Sequence, residues 1–177
     1  SNPATTSAGF SMNLSAGTYH LYIDGGRGSL GADSDYGSLG EYFISGSFYP
    51  KGLYVMNTSP QIVCSGSFFD PGFLGNYGNN LDIAQTFKPE TPGNMLRFTF
   101  TSFDLLNSGD QLSIFNGSSI NAPLIGTFTN TSSPGTVTAS NDAGQLTFRF
   151  ISNSSVTAPG WRASISCVTP LTMQWNK

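Results

Sequence analysis

Apolar residues recur at every second position in a series of short runs, and turn-forming residues separate the runs. Phe10, Met12 and Leu14 alternate with polar neighbours, and Ala16-Gly17 leads into a second run over Thr18–Asp24. A loop from Gly25 to Gly40, rich in glycine and carrying Asp33-Ser34-Asp35, precedes a third run over Glu41–Tyr49. Later in the chain Met95–Phe103 sets Leu96, Phe98 and Phe100 on one face and Arg97, Thr99 and Thr101 on the other. Leu112 and Ile114 alternate next, and Asn116-Gly117 carries the strongest short hairpin signal. Strands are expected at Leu124–Phe128, Gly135–Ser140, Gln145–Ser152 and Trp161–Cys167, the last with Trp161, Ala163, Ile165 and Cys167 on one face. No stretch keeps a 3.6-residue period for ten residues. The pattern predicts an all-β fold with turns at the spacing of a sandwich.

Asn57-Thr58-Ser59-Pro60 is polar, carries a proline and precedes a new strand at Gln61–Cys64. It is the expected boundary. The organisation read from the chain is an N-terminal β-strand segment over 1–56, a linker at 57–60, a sandwich over 61–168 and a tail at 169–177.

Composition supports this reading and narrows the chemistry. The chain of 177 residues holds 25 Ser, 17 Thr, 14 Asn and 21 Gly, the vocabulary of turns and short strands rather than of helices. Its 14 Phe and 7 Tyr suffice to fill a core. With net charge −3 and seven Lys+Arg scattered along the sequence, no basic patch exists to neutralise phosphates, so nucleic acid is not an expected partner. No apolar run is long enough for a membrane-spanning helix.

Catalytic resources are few. His20 is the one histidine, and it alternates with Leu21 and Ile23, as a half-exposed strand residue does. Neither HExxH nor GxSxG is present, so zinc hydrolysis and a serine triad lack their parts. No enzyme activity is expected of this chain. Its start at Ser1-Asn2-Pro3, with no initiator Met, reads as part of something longer. The surface vocabulary looks extracellular.

Cys64 ends the first strand of the sandwich segment and Cys167 lies on the inward face of the last. First and last strands of sandwiches are often neighbours, so a disulfide is expected, with two buried free thiols as the alternative. A bridge closing so long a loop stabilises by about 4–5 kcal/mol on the chain-entropy account.

Residues 64–167 carry Cys64-Ser-Gly-Ser-Phe-Phe-Asp70-Pro-Gly72, Asn76-Tyr77-Gly-Asn-Asn80 and Leu96–Leu105. They continue with Gly109-Asp110-Gln-Leu-Ser-Ile114-Phe-Asn116-Gly117, Leu146–Asn153 and Gly160-Trp161-Arg-Ala163. In this order and spacing they resemble a CUB domain of the kind found in secreted bacterial proteins. The resemblance implies a jelly-roll sandwich, and a calcium cluster at Asp110, Asn153 and Tyr77. The family's second acid is here Asn153, and its earlier glutamate is here Leu106. The alternative is that Asp110 caps a turn while Asn153 bonds its own loop. The resemblance also makes Trp161 a core aromatic.

Residues 1–50 resemble the tail of a pre-peptidase C-terminal-like β module, as found in secreted metalloproteases. The resemblance rests on Leu14-Ser-Ala-Gly-Thr-Tyr19, Ile23-Asp24-Gly25 and Ser34-Asp35-Tyr36-Gly37 to Gly46. Asp24, Asp33 and Asp35 are candidates for a second calcium in the glycine-rich loop, against a loop shaped by glycines and Asx turns alone. Phe69, Phe73 and Tyr77 crowd one Gly-rich stretch and are candidate ligand-binding aromatics. Together the two resemblances imply a non-catalytic accessory or binding region of a secreted hydrolase, such as a zinc metalloprotease. Its partners would be the parent's catalytic domain, a macromolecular substrate or a cell surface. The alternative is a carbohydrate-binding or adhesion module.

Overall fold

The computed structural model describes residues 52–106 and 109–170. The chain divides into two compact units, Ser1–Gly46 and Ser47–Lys177, and the described residues belong to the second. The expected strands before residue 52, His20 and the candidate loop at Asp24, Asp33 and Asp35 lie outside the described residues.

Among the described residues ten strands form: β1 (Leu53–Val55), β2 (Gln61–Val63), β3 (Ser65–Phe69), β4 (Asp82–Pro89), β5 (Met95–Asp104), β6 (Gln111–Phe115), β7 (Leu124–Phe128), β8 (Thr136–Thr138), β9 (Leu146–Ile151) and β10 (Gly160–Val168). They make two five-stranded sheets, ordered β1-β3-β10-β5-β8 and β2-β4-β9-β6-β7. β1 joins β3 in parallel and β2 joins β4 in parallel, each at a sheet edge. The remaining pairings are antiparallel. The segment 57–60, expected as a linker, runs between β1 and β2 and so crosses from one sheet of this sandwich to the other.

Alternation along each strand turns one face inward, and the inward faces meet as a single aromatic layer. Phe68 of β3 packs against Phe87, Phe98 and Phe148 with ring centroids 4.9, 5.7 and 5.1 Å apart. Trp161 continues the layer against Phe150 at 5.1 Å. All six rings are buried, and burial of each contributes about 2–3 kcal/mol relative to exposure. Gln85 on β4 is a buried polar residue in line with Phe87. Its Nε2 donates to the Ser59 carbonyl at 2.8 Å and its Oε1 accepts from Asn57 N–H at 3.2 Å, so the crossing segment satisfies it.

Two local expectations resolve differently. Asn116-Gly117 does not make a two-residue hairpin, because β6 and β7 are joined by residues 116–123. Asn116 instead spends its side chain across the sheet end: Nδ2 donates to Ser140 Oγ at 2.8 Å, and Oδ1 accepts from Ser140 N–H and Asn141 Nδ2. Cys64 and Cys167 form the disulfide, with Cα atoms 4.9 Å apart.

Candidate functional site

The register brings four loops to one end of the sandwich: 70–81, the connection between β5 and β6 with its described residues 105–106 and 109–110, 129–135 and 152–159. They are tied to one another. Asn80 N–H donates to the Asn153 carbonyl at 2.7 Å, Tyr77 N–H to the Ala158 carbonyl at 3.2 Å, and Leu105 N–H to the Asn130 carbonyl at 2.8 Å.

At the centre of these ties Asp110 is fully buried just before β6. Its Oδ2 accepts from the Tyr77 hydroxyl at 2.7 Å and its Oδ1 from Asn153 N–H at 2.8 Å. The Tyr77 hydroxyl also lies 2.9 Å from the Leu105 carbonyl, sharing its proton between two acceptors. Burial first, then the bond to Asp110, holds the Tyr77 phenol well above its ordinary range.

The three residues expected around calcium, Asp110, Asn153 and Tyr77, therefore do come together. Calcium takes six to eight oxygens, several of them carboxylate. Here there is one carboxylate, with both oxygens already accepting hydrogen bonds. Asn153 Oδ1 accepts from Ser155 N–H at 2.8 Å, and Leu106 brings no side-chain oxygen. Among the described residues no group of three or more His, Cys, Asp or Glu is placed to hold a metal. Among the described residues the donor set forms a hydrogen-bonded clamp joining three loops, with Asp110 as its carboxylate.

Backbone strain gathers at the same end. Among the described residues five non-glycine residues have left-handed φ: Phe73 (59°), Asn80 (56°), Leu106 (60°), Asn130 (54°) and Val156 (64°), and all lie in these four loops. A β-branched or bulky residue there is unusual and costs about 1–3 kcal/mol. Three of the large apolar side chains left in solvent are there too: Leu74 is 83% exposed, Leu106 57% and Val156 53%.

Next to this end, on the outer face of the β1-β3-β10-β5-β8 sheet, a groove of about 320 Å³ is lined by Phe69, Phe73, Leu74, Ser102, Pro159 and Arg162, with Trp161 beneath. The Phe69 and Phe73 rings meet edge to face at 4.9 Å, and the Arg162 guanidinium lies 5.5 Å from the Phe69 ring centre. Of the expected ligand-binding aromatics, the structure brings Phe69 and Phe73 together in this groove. Tyr77 is on the core side, 4.9 Å from Phe150.

Sequence reasoning missed three participants. Asp70 stands in the sequence only as part of the Cys64–Gly72 run, yet it is fully buried. Its Oδ1 accepts from Gly72 N–H at 2.7 Å and its Oδ2 from Trp161 N–H at 3.2 Å. Burial pushes its carboxyl up to about 6 against the opposing pull of these backbone donors. Arg162 read only as an outward strand position, and Leu74 gave no signal because its exposure depends on how the 70–81 loop is held. The indole Nε1 of Trp161 is buried with no hydrogen-bond partner among the described residues.

Two five-stranded sheets closed over one aromatic core, with the Cys64–Cys167 bridge at one end and the loop cluster at the other, define a disulfide-bonded β-sandwich. Residues 63–165, more than half of the chain, match the CUB domain family, and the chain belongs to it. CUB domains are non-catalytic, extracellular binding modules. Human cubilin is 33% identical over 119 residues, which are 65% of this chain and 3% of cubilin, so the chain spans a small part of that protein's length. Among solved structures, the full extracellular region of zebrafish Gpr126/Adgrg6 matches with a TM-score of 0.55 at 20% identity, over 65% of this chain and 15% of that one. The MASP-1 CUB2 domain bound to Ca²⁺ matches with a TM-score of 0.52 at 21% identity, over 62% of this chain and 98% of that one. These likenesses establish the fold. Among the described residues no helix is long and apolar enough to cross a membrane.

Proposed function

We propose that this CUB domain is a protein-binding module of a larger extracellular protein, and that it engages its partner through the strained loop end and the adjoining groove. The supporting observation is that the five left-handed non-glycine residues among the described residues all lie at one end, with Leu74, Leu106 and Val156 exposed beside them. Loops that served only to connect strands would relax such conformations, whereas binding surfaces retain them. The hydrogen bonds of the Asp110 clamp tie these loops to one another, so the surface is preorganised, which lowers the ordering cost of binding.

A polysaccharide ligand is less well served. Phe69 is nearly buried and meets Phe73 edge to face, so the pair offers no row of open ring faces for sugars to stack on. The accessory role beside a hydrolase is a finer reading, and no residue described here favours it over other extracellular parents.

The test is capture from the extracellular fraction of the source organism, with the domain as bait beside a variant carrying Leu74→Ser, Leu106→Ser and Val156→Ser. A protein retained by the parent domain and lost by the folded variant supports the reading. Equal retention by both removes it.

A further inference from the structure

The groove beside the loop end differs from the rest of the molecule in charge. The chain carries a net charge of −3, but the outer face of this sheet presents Arg97 on β5 and Arg162 on β10. Between them the outward positions are Thr99, Thr101, Ser164 and Ser166, all hydroxyl-bearing. Thr99 pairs with Ser164, and Arg97 with Ser166. Arg97 is therefore level with a residue four positions along β10 from Arg162, roughly 13 Å away at strand rise.

Neither guanidinium is neutralised. The ion pair among the described residues is Arg149–Asp82, which lies on the other sheet. Arg97 Nε donates to Thr138 Oγ1 at 3.1 Å, a neutral partner. Arg162 rests over the Phe69 ring. Asp104, two positions past the residue that pairs with Arg162, accepts from Leu106 N–H and makes no ion pair. Asp70 is buried below the sheet, with its oxygens on backbone donors. An apolar floor next to an uncompensated guanidinium, with a second guanidinium further along a neutral hydroxyl surface, complements a ligand that is apolar at one end and anionic along the rest.

We infer that the groove takes an extended acidic segment of a partner protein. An aliphatic side chain sits against Phe69, Phe73 and Leu74, a carboxylate meets Arg162, and a further carboxylate reaches toward Arg97. This deepens the proposed protein-binding function and rests on it. It adds the chemical class of the partner and the residues that select it. Arg162 is the specificity determinant, because its stacking on Phe69 holds a planar donor fork where a carboxylate can accept two hydrogen bonds.

The experiment measures fluorescence anisotropy of short labelled peptides against the whole chain. One peptide alternates Glu and Leu, a second Lys and Leu, a third Glu and Ser, and heparin is titrated separately. The Glu/Leu peptide is expected to bind saturably and to weaken in high salt. The Lys/Leu peptide should fail to bind, and the Glu/Ser peptide should bind more weakly for want of the apolar contact. Arg162→Glu, with its melting midpoint checked, should weaken Glu/Leu binding about tenfold or more, and Arg97→Glu by a smaller factor. Equal binding of the Lys/Leu peptide, no binding of any peptide, or indifference to Arg162→Glu overturns the proposal. Heparin binding without peptide binding overturns it in favour of an anionic polysaccharide. Capture by the parent domain that persists in Arg162→Glu but is lost in the loop variant would remove the acidic-segment proposal alone. The absence of any captured protein would count against the broader function.

Discussion

Asp70 is buried directly beneath Gly160, and the two positions are complementary: a Cβ at residue 160 would overlap the Asp70 carboxylate. Gly160 also has a φ of +70°, a conformation that side chains resist. The backbone N–H of the next residue, Trp161, donates to Asp70 Oδ2, so the loop after β3 and the start of β10 share one packing site.

Gly160→Ala is therefore expected to destabilise the domain by about 2–4 kcal/mol, from the overlap together with the left-handed backbone. Denaturant unfolding of Gly160→Ala, Asp70→Ala and the double variant tests the pairing. The double variant should lose less than the two single losses added together. Strict additivity would show that the two positions do not share the site.

Asp70 also sets a pH dependence. Its carboxyl is raised to about 6 in the folded state, above the ordinary value of about 4. Between those values the folded chain holds a proton that the unfolded chain has released, so stability falls as pH rises. The contribution is fully present below pH about 4 and lost above about 6, amounting to about 3 kcal/mol at most. Asp70→Asn should flatten that stretch of the stability profile. An unchanged slope would place the titrating group elsewhere.

The clamp at Asp110 makes a separate prediction. Tyr77→Phe removes the hydroxyl and leaves Asp110 Oδ2 and the Leu105 carbonyl each short of that donor. The expected loss is about 1–3 kcal/mol in denaturant unfolding, without change in the far-ultraviolet circular dichroism of the sheets. A loss near zero would mean that water replaces the hydroxyl at no cost.

Calcium should have no effect on stability. The melting midpoint in chelator and in millimolar calcium should coincide, because hydrogen bonds already hold Asp110. A calcium-dependent rise that Asp110→Ala abolishes would show that the clamp opens to admit the ion.

The fold was legible wherever alternation ran unbroken. β5, β7 and β10 lie where Leu96-x-Phe98-x-Phe100, Leu124–Phe128 and Trp161-x-Ala163-x-Ile165 place them. β4 was not legible, because Gln85 occupies an inward position and its partners, Asn57 and Ser59, come from a distant turn. Asn116-Gly117 misled for a similar reason: an asparagine with long-range partners at Ser140 and Asn141 is not free to make a tight turn. Asp110, Tyr77 and Asn153 could be placed together by resemblance. Asp70 could not, since its burial depends on the absence of a side chain ninety residues later in the chain, at Gly160. The groove was half legible. Phe69 and Phe73 stood out as aromatics, whereas the importance of Arg162 comes from what surrounds it.

The Cys64–Cys167 bridge joins residues 103 apart in the chain and so encloses eight of the ten strands in a covalent ring. For a domain pulled along its chain, that ring is a mechanical bypass. Tension arriving from the N-terminal side would meet β1 and β2, the short parallel edge strands, and could peel them away. Beyond Cys64 the load would cross the sulfur atoms to Cys167 and leave the sheets unstrained. The loop end and the groove lie inside the ring, so a grip on a partner would survive forces that strip the edges.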